Sequence, residues 1–141
     1  MRKIFISSDH AGFKLKDLIK DYLTNKKIKF EDHGPKDDSS VDYPDYAHKV
    51  ARKVKIRKSN VGILVGGSGT GMNIAANKHK NIRAAQCFNL KSTKLSRLHN
   101  DANIITLGSR LITKKNALKF VSVFLDTKFD GGRHLRRVKK I

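Results

Sequence analysis

Residues 61–78, VGILVGGSGTGMNIAANK, decide how this chain folds. Val61 to Val65 is a short unbroken apolar run, the pattern of a strand covered on both faces. Glycines at 66, 67, 69 and 71 follow, and Met72 to Lys78 then reads as a short helix. A strand that passes through a glycine turn into a helix is the opening of a βαβ crossover, so its sheet is expected to be parallel.

The same alternation repeats outward from this stretch. Toward the amino terminus, Ile4 to Ile6 reads as a strand, and Leu15, Leu18, Ile19, Tyr22 and Leu23 form one helical stripe. Ile28 to Phe30 is expected as the second strand. A polar loop, EDHGPKDDSS, then leads to a helix marked by Ala47, Val50, Ala51 and Val54, with Pro44 near its first turn. Toward the carboxyl terminus come a strand at Ile82 to Cys87, a helix at Leu90 to Leu98 and a strand at Ile104 to Leu107. Ala117, Leu118, Val121, Phe124 and Leu125 mark the next helix, and GGRHLRRVKKI a basic helical tail. Right-handed crossovers then predict one domain over residues 1–141: a Rossmann-like, doubly wound α/β fold with five parallel strands and helices on both faces.

Composition narrows the setting. The single cysteine, Cys87, excludes an internal disulfide and fits a reducing, cytoplasmic environment. Met1-Arg-Lys precedes only three apolar residues, which is no secretory leader, and no run reaches membrane-spanning length, so no membrane partner is expected. The net charge of +19 would by itself suggest a polyanionic partner. Yet the lysines are scattered over almost every expected helix, aromatic residues make up 7%, and no nucleic-acid module is present. Nucleic acid is therefore not the expected ligand.

In open parallel sheets ligands bind beyond the carboxyl ends of the strands. Asp9-His10 follows the first strand, the glycine loop follows the third, His99-Asn100-Asp101 lies just before the fifth, and Arg110 lies just after it. Asp9 and Asp101 also have structural readings, as a helix cap and a turn-ordering residue. The loop lacks the G-K-[ST] ending of a P-loop and the G-x-G-x-x-G order of a dinucleotide site. A glycine turn at a helix start still suits an oxyanion or a phosphate. Arg133 and Arg137, one helical turn apart behind Gly131-Gly132, put two guanidinium groups on one face, a second phosphate grip. The six histidines form no metal-binding spacing, so neither a metal nor a cofactor is expected.

Five stretches, SDHAGFKLK, DYPDYA, GSGTGMNIAANK, RLHNDANIITLGSR and GGRHLRRV, together resemble the type B ribose-5-phosphate isomerases and their relatives, the galactose-6-phosphate isomerase subunits. The resemblance implies a metal-free aldose–ketose isomerase that interconverts ribose 5-phosphate and ribulose 5-phosphate through a cis-enediolate. It implies a homodimer, or a dimer of dimers, with shared active sites. Asp9, His10 and Tyr43 match substrate-binding positions, His99 matches the group that assists ring opening, and Asn100 matches an enediolate-side donor from the partner. His10, Arg110, Arg133 and Arg137 match the phosphate grip. The amides of Gly67, Ser68, Gly69, Thr70 and Gly71 match the anion cradle, and the Ser68 hydroxyl matches a proton shuttle. His99, Asn100 and Arg110 are expected from one subunit, with Asp9, Ser68 and Arg137 from the other.

The chain departs from that pattern at the base. Gly66 stands where many members carry the cysteine that takes the C2 proton, and Met72 where another branch carries a glutamate. Asp9 or Cys87 could replace the base, or the chain could bind sugar phosphate with weak or lost turnover. A six-carbon substrate such as allose or galactose 6-phosphate is a further alternative.

Overall fold

The computed structural model describes residues 1–141. The elements are β1 (Ile4–Ser8), α1 (Phe13–Asn25), β2 (Glu31–Asp32), α2 (Tyr43–Val54), β3 (Val61–Gly66), α3 (Thr70–Ala76), β4 (Ala84–Gln86), α4 (Leu90–Asn100), β5 (Ile104–Gly108), α5 (Lys114–Asp126) and α6 (Arg133–Val138). All strand pairs are parallel, in the order β2-β1-β3-β5-β4. The chain turns outward from β1 to β2 and returns on the other side to β3. That reversal opens a crevice beyond Ser8 and Gly66, where such sheets bind ligands.

Strand periodicity sends alternate residues to two cores. Ile4, Ile6, Ile63, Val65, Ile105 and Leu107 pack against Leu15, Ile19 and Leu23 of α1 and Ala117, Phe120, Val121 and Phe124 of α5. Phe5, Leu64 and Ile104 point the other way, onto Ala47, Val50, Ala51 and Val54 of α2 and Met72 and Ala76 of α3. Both faces are thereby covered, which is why the strands read as continuous apolar runs. No helix is long and apolar enough to cross a membrane.

Several elements run one or two residues past the expected bounds, among them β1 to Ser8 and α4 to Asn100, and three differ at both ends. The second strand is Glu31–Asp32, not Ile28–Phe30. Lys27 takes a left-handed conformation at φ 59, and the Ile28 N–H closes onto the Leu23 carbonyl at 2.9 Å. Ile28 and Phe30 therefore pack on the core from the approach to the strand, and only Glu31 and Asp32 reach the ladder beside Phe5 and Ile6. The fourth strand shortens to Ala84–Gln86, because the Ile82 N–H goes to the His79 carbonyl and the Arg83 N–H to the Asn103 side chain. Helix α3 starts at Thr70, two residues before Met72.

A buried cation fixes the loop after β2. Lys16 on α1 is 0% exposed; its Nζ donates to Asp32 at 3.0 and 3.3 Å and to the Pro35 carbonyl at 2.7 Å. Lys20 adds a 2.7 Å contact to Asp32, and the Gly34 N–H donates to the same carboxylate at 2.9 Å. Burial alone would raise the Asp32 carboxyl, but the bonds from Lys20, Gly34 and Lys16 win and hold it below the ordinary carboxylate value. Fully donated carboxylates of this kind are rigid anchors. This one aims residues 36–42 toward the start of α2, where Tyr43 stands.

Candidate active site

Loops after β1, β3 and β5 enclose a cleft of about 300 Å³ at the carboxyl edge. On β1's side, Asp9 Oδ1 accepts the Gly12 N–H at 2.7 Å ahead of α1. Its other oxygen, Oδ2, makes no hydrogen bond and faces Gly66, 3.4 Å from where a Cβ there would lie. Asp9 thus orders the helix start with one oxygen and offers the other to the cleft. His10 Nδ1 accepts the Val41 N–H at 3.2 Å, which leaves the proton of a neutral imidazole on Nε2, free to donate to an anion.

The glycine loop is tied down from below. Ser109 and Arg110 donate their N–H groups to the Gly66 and Gly67 carbonyls at 2.8 and 3.0 Å. Gln86 Nε2 donates to the Ser68 carbonyl at 2.6 Å and lies 3.3 Å from the Thr70 hydroxyl. Gln86 was not singled out in the sequence, because an amide at the end of a short strand carries no motif. Gly69 has φ +79, and a Cβ there would press on the Leu107 carbonyl; only glycine takes that backbone cheaply. A Cβ on Gly71 would collide with the Tyr43 ring, so only glycine lets the phenol come this close to the loop. The Thr70 N–H donates to Ser68 Oγ at 3.2 Å, which leaves the Ser68 hydroxyl proton available.

Arg110 completes this half of the site. Its Nη1 lies 3.1 Å from the position of a Cβ on Gly67, so the guanidinium covers the loop beside Asp9 and His10. Met72 lines the same cleft and is 1% exposed. Cys87 is not a candidate base. It belongs to the core under α5, burial pushes its thiol up, and the thiolate is the form that attacks protons.

His99 and Asn100 are elsewhere. Helix α4 runs antiparallel to the strands and ends at the amino edge of the sheet. There Arg83 Nε donates to the Asn100 and Asp101 carbonyls at 3.0 Å each. Five strand residues at about 3.3 Å each put roughly 15 Å between the two edges. Asp101 proves structural: it ends α4 with φ 47 and pairs with Arg97 at 2.9 Å and Arg83 at 3.4 Å. Helix α6 lies beside α4, with the His134 ring stacked on His99 at 4.3 Å between centroids. Slight desolvation, the His99 ring, Arg133 and Arg137 pull His134 below its ordinary value, against the pull of Asp130.

The expected division of residues is corrected accordingly. Arg110 sits with Asp9 and Ser68 at the carboxyl edge, not with His99. Arg137 belongs beside His99 on α6, not with Asp9. Residues just before β5 and residues just after it lie at opposite ends of one strand, however close they stand in the chain.

A cleft of this size, lined by an imidazole, a guanidinium and a glycine loop at the carboxyl edge of a doubly wound sheet, defines an α/β protein with the kind of pocket that suits a small anion. Its family is more specific. Residues 4–141 match the Ribose/Galactose Isomerase family model, and the chain belongs to that family. It is 45% identical to a putative sugar phosphate isomerase of Rickettsia bellii over 98% of this chain and 96% of that one. It is 40% identical to ribose-5-phosphate isomerase B of Escherichia coli K12, covering 100% and 95%. Among solved structures, a ribose 5-phosphate isomerase of Thermotoga maritima superposes with a TM-score of 0.94 at 51% identity, covering 98% and 95%. Ribose-5-phosphate isomerase B of Mycoplasma genitalium, solved with bound ribulose-5-phosphate, superposes with a TM-score of 0.95 at 43% identity, covering 99% and 93%. The doubly wound fold expected from the sequence is therefore the fold of these enzymes.

Proposed function

We propose that this protein interconverts ribose 5-phosphate and ribulose 5-phosphate through a cis-enediolate, with Asp9 as the base. The observation that carries this reading is the free Asp9 Oδ2, aimed across Gly66 at the amide cradle. A carboxylate beside a cluster of N–H donors can remove a proton next to a carbonyl, because the donors stabilise the oxyanion that results.

In this reading each step has a named group. His10 Nε2–H and Arg110 hold the phosphate from one copy of the chain, and Arg133 and Arg137 reach it from a second copy. His99 of that second copy moves the proton that opens the furanose ring. Asp9 Oδ2 takes the C2 proton, and the charge passes to the C1 oxygen, held by amides from Gly67 to Gly71. Ser68 donates to that oxygen and recovers a proton from the C2 hydroxyl. Asp9 then returns its proton to C1, and the ketose results with atoms and charge balanced. Remote phosphate contacts supply the binding energy that orients these groups. A dimer is the simplest assembly that unites the two edges, since neither set alone contains both the base and the ring-opening imidazole.

Because Gly66 and Met72 cannot ionise, sugar-phosphate binding without turnover is the second reading. Incubation with ribose 5-phosphate in D₂O separates the two. Deuterium at C2, together with ribulose 5-phosphate formation, is the expected result. Ligand at 100 times its dissociation constant stabilises a fold by about 2.7 kcal/mol, so ribose 5-phosphate should raise the melting temperature well above any effect of free ribose. Stabilisation without exchange identifies a binder. No stabilisation by the sugar phosphate overturns both readings.

A further inference from the structure

His99, Asp130 and His134 form a cluster whose spacing in the chain gives no hint of it. One ring nitrogen from each histidine and one Asp130 oxygen all lie within 4.8 Å of one another. The group joins two elements. His99 lies in the last turn of α4, while Asp130 precedes α6 and His134 lies in its first turn. The turn is pinned to the helix by the Asp130 N–H, which donates to the Leu98 carbonyl at 3.1 Å. None of the three side chains makes a hydrogen bond or a salt bridge, so their lone pairs are uncommitted.

We propose that His99, Asp130 and His134 bind a divalent cation of the zinc class, and that the bound ion inhibits the enzyme by occupying His99. Two imidazoles and a carboxylate are a zinc-type donor set with one position left for water. Zinc–ligand bonds of about 2.0–2.1 Å in a tetrahedron need donors roughly 3.3 Å apart. The rings are stacked at 4.3 Å and 12°, and both residues are only partly buried. Rotation of one ring out of the stack, with a small movement of exposed Asp130, closes the remaining gap.

The surroundings also select the ion. Arg133 and Arg137 share the turn with His134 and repel any cation, which removes the long-range attraction that hard ions such as magnesium depend on. Magnesium also wants oxygen ligands in an octahedron, and this cluster has one carboxylate. Coordination by imidazole nitrogen favours zinc, cobalt, nickel or copper instead. Inhibition follows from geometry: a lone pair bound to metal cannot move the proton that opens the sugar ring. That part rests on the isomerase reading above; the binding itself does not.

The test uses the full-length protein, titrated calorimetrically with zinc and followed by the visible absorption of cobalt. One ion per chain is expected, with no heat from magnesium. His134→Gln and Asp130→Asn should each weaken binding at least tenfold, and His79→Gln should leave it unchanged. Asp130 is exposed, so its variant remains informative even if His134→Gln disturbs α6. No saturable binding, binding that Asp130→Asn does not weaken, or binding lost in His79→Gln overturns the site. One equivalent of zinc should stop deuterium exchange at C2, and a chelator should restore it. Zinc that binds without slowing exchange overturns the inhibition alone. A metal-free enzyme that shows no exchange overturns the isomerase reading and leaves the binding result standing.

Discussion

Asp9 commits one carboxylate oxygen to the Gly12 N–H and leaves the other unbonded, and Gly66 is the residue through which the use proposed for that second oxygen can be measured. Gly66 is not among the residues with positive φ, so a side chain there meets no left-handed backbone penalty. A Cβ would lie 3.2 Å from Gly69 Cα and N, tight enough to ask for a shift of a few tenths of an ångström. Gly66→Cys should therefore fold, and its thiol would stand beside Asp9 Oδ2 with the loop amides favouring the thiolate. Where Asp9 already serves as base, the cysteine adds little, and Asp9→Asn lowers kcat by about 10²–10⁴ with the phosphate still bound. Where it does not, Gly66→Cys raises kcat by roughly 10². The pair of kcat values, read beside ribose 5-phosphate affinity, decides between these outcomes. A folded, ligand-binding Asp9→Asn protein no slower than the parent excludes Asp9.

Helix α2 meets the turn after α3 through a pair of imidazoles that no motif announced. His48 Nδ1 and His79 Nε2 are 2.7 Å apart, a distance that requires one proton between two nitrogens. Desolvation, then His48, Lys55 and Arg52, hold His79 below its ordinary value of 6.5. The unfolded chain therefore binds more protons than the native one as pH falls through 6.5, so native stability declines on the acid side and is fully present above it. Melting temperatures between pH 5 and 8 should show this slope, and His79→Gln should flatten it. An unchanged profile in the variant would assign the slope to other groups. The helices were legible because α1, α2 and α5 each bury one stripe at helical spacing, a signal that survives in the sequence alone. Strand β2 was not, since Ile28 and Phe30 pack half-buried beside the ladder rather than in it, and alternating apolar residues look the same in both roles.

At the scale of the whole molecule, the groups expected to act together lie at opposite edges of the sheet. Sequence order put the glycine loop and Asp9 in one site, because both follow strands that run the same way, but Arg110, which lines the same cleft, was expected in the other half. It misplaced His99 and Asn100, which precede a strand, and it concealed the approach of Asp130 and His134 to His99 across more than thirty residues. The edge assignment carries a sharp test. Arg110→Ala damages one edge and Arg137→Ala the other. Mixed after unfolding and refolded together, the two inactive proteins should recover about a quarter of the parental activity, because half the pairs are hybrid and each hybrid holds one intact site of two. His99→Ala mixed with Arg137→Ala, both on the same edge, should recover none. Recovery in the second mixture, or none in a verified hybrid of the first, would refute the assignment.

The separation of the two edges also has a consequence for inheritance. In the proposed dimer with shared sites, a chain damaged at both edges pairs with a sound one, and each site of that pair receives one ruined half. A single defective allele would then silence its sound counterpart as well as itself, and the surviving activity would follow the square of the fraction of sound chains. An enzyme whose sites lay within one chain would lose activity only in proportion. In a cell that carries both alleles, the defect would behave as dominant, although each mutation does no more than remove a side chain.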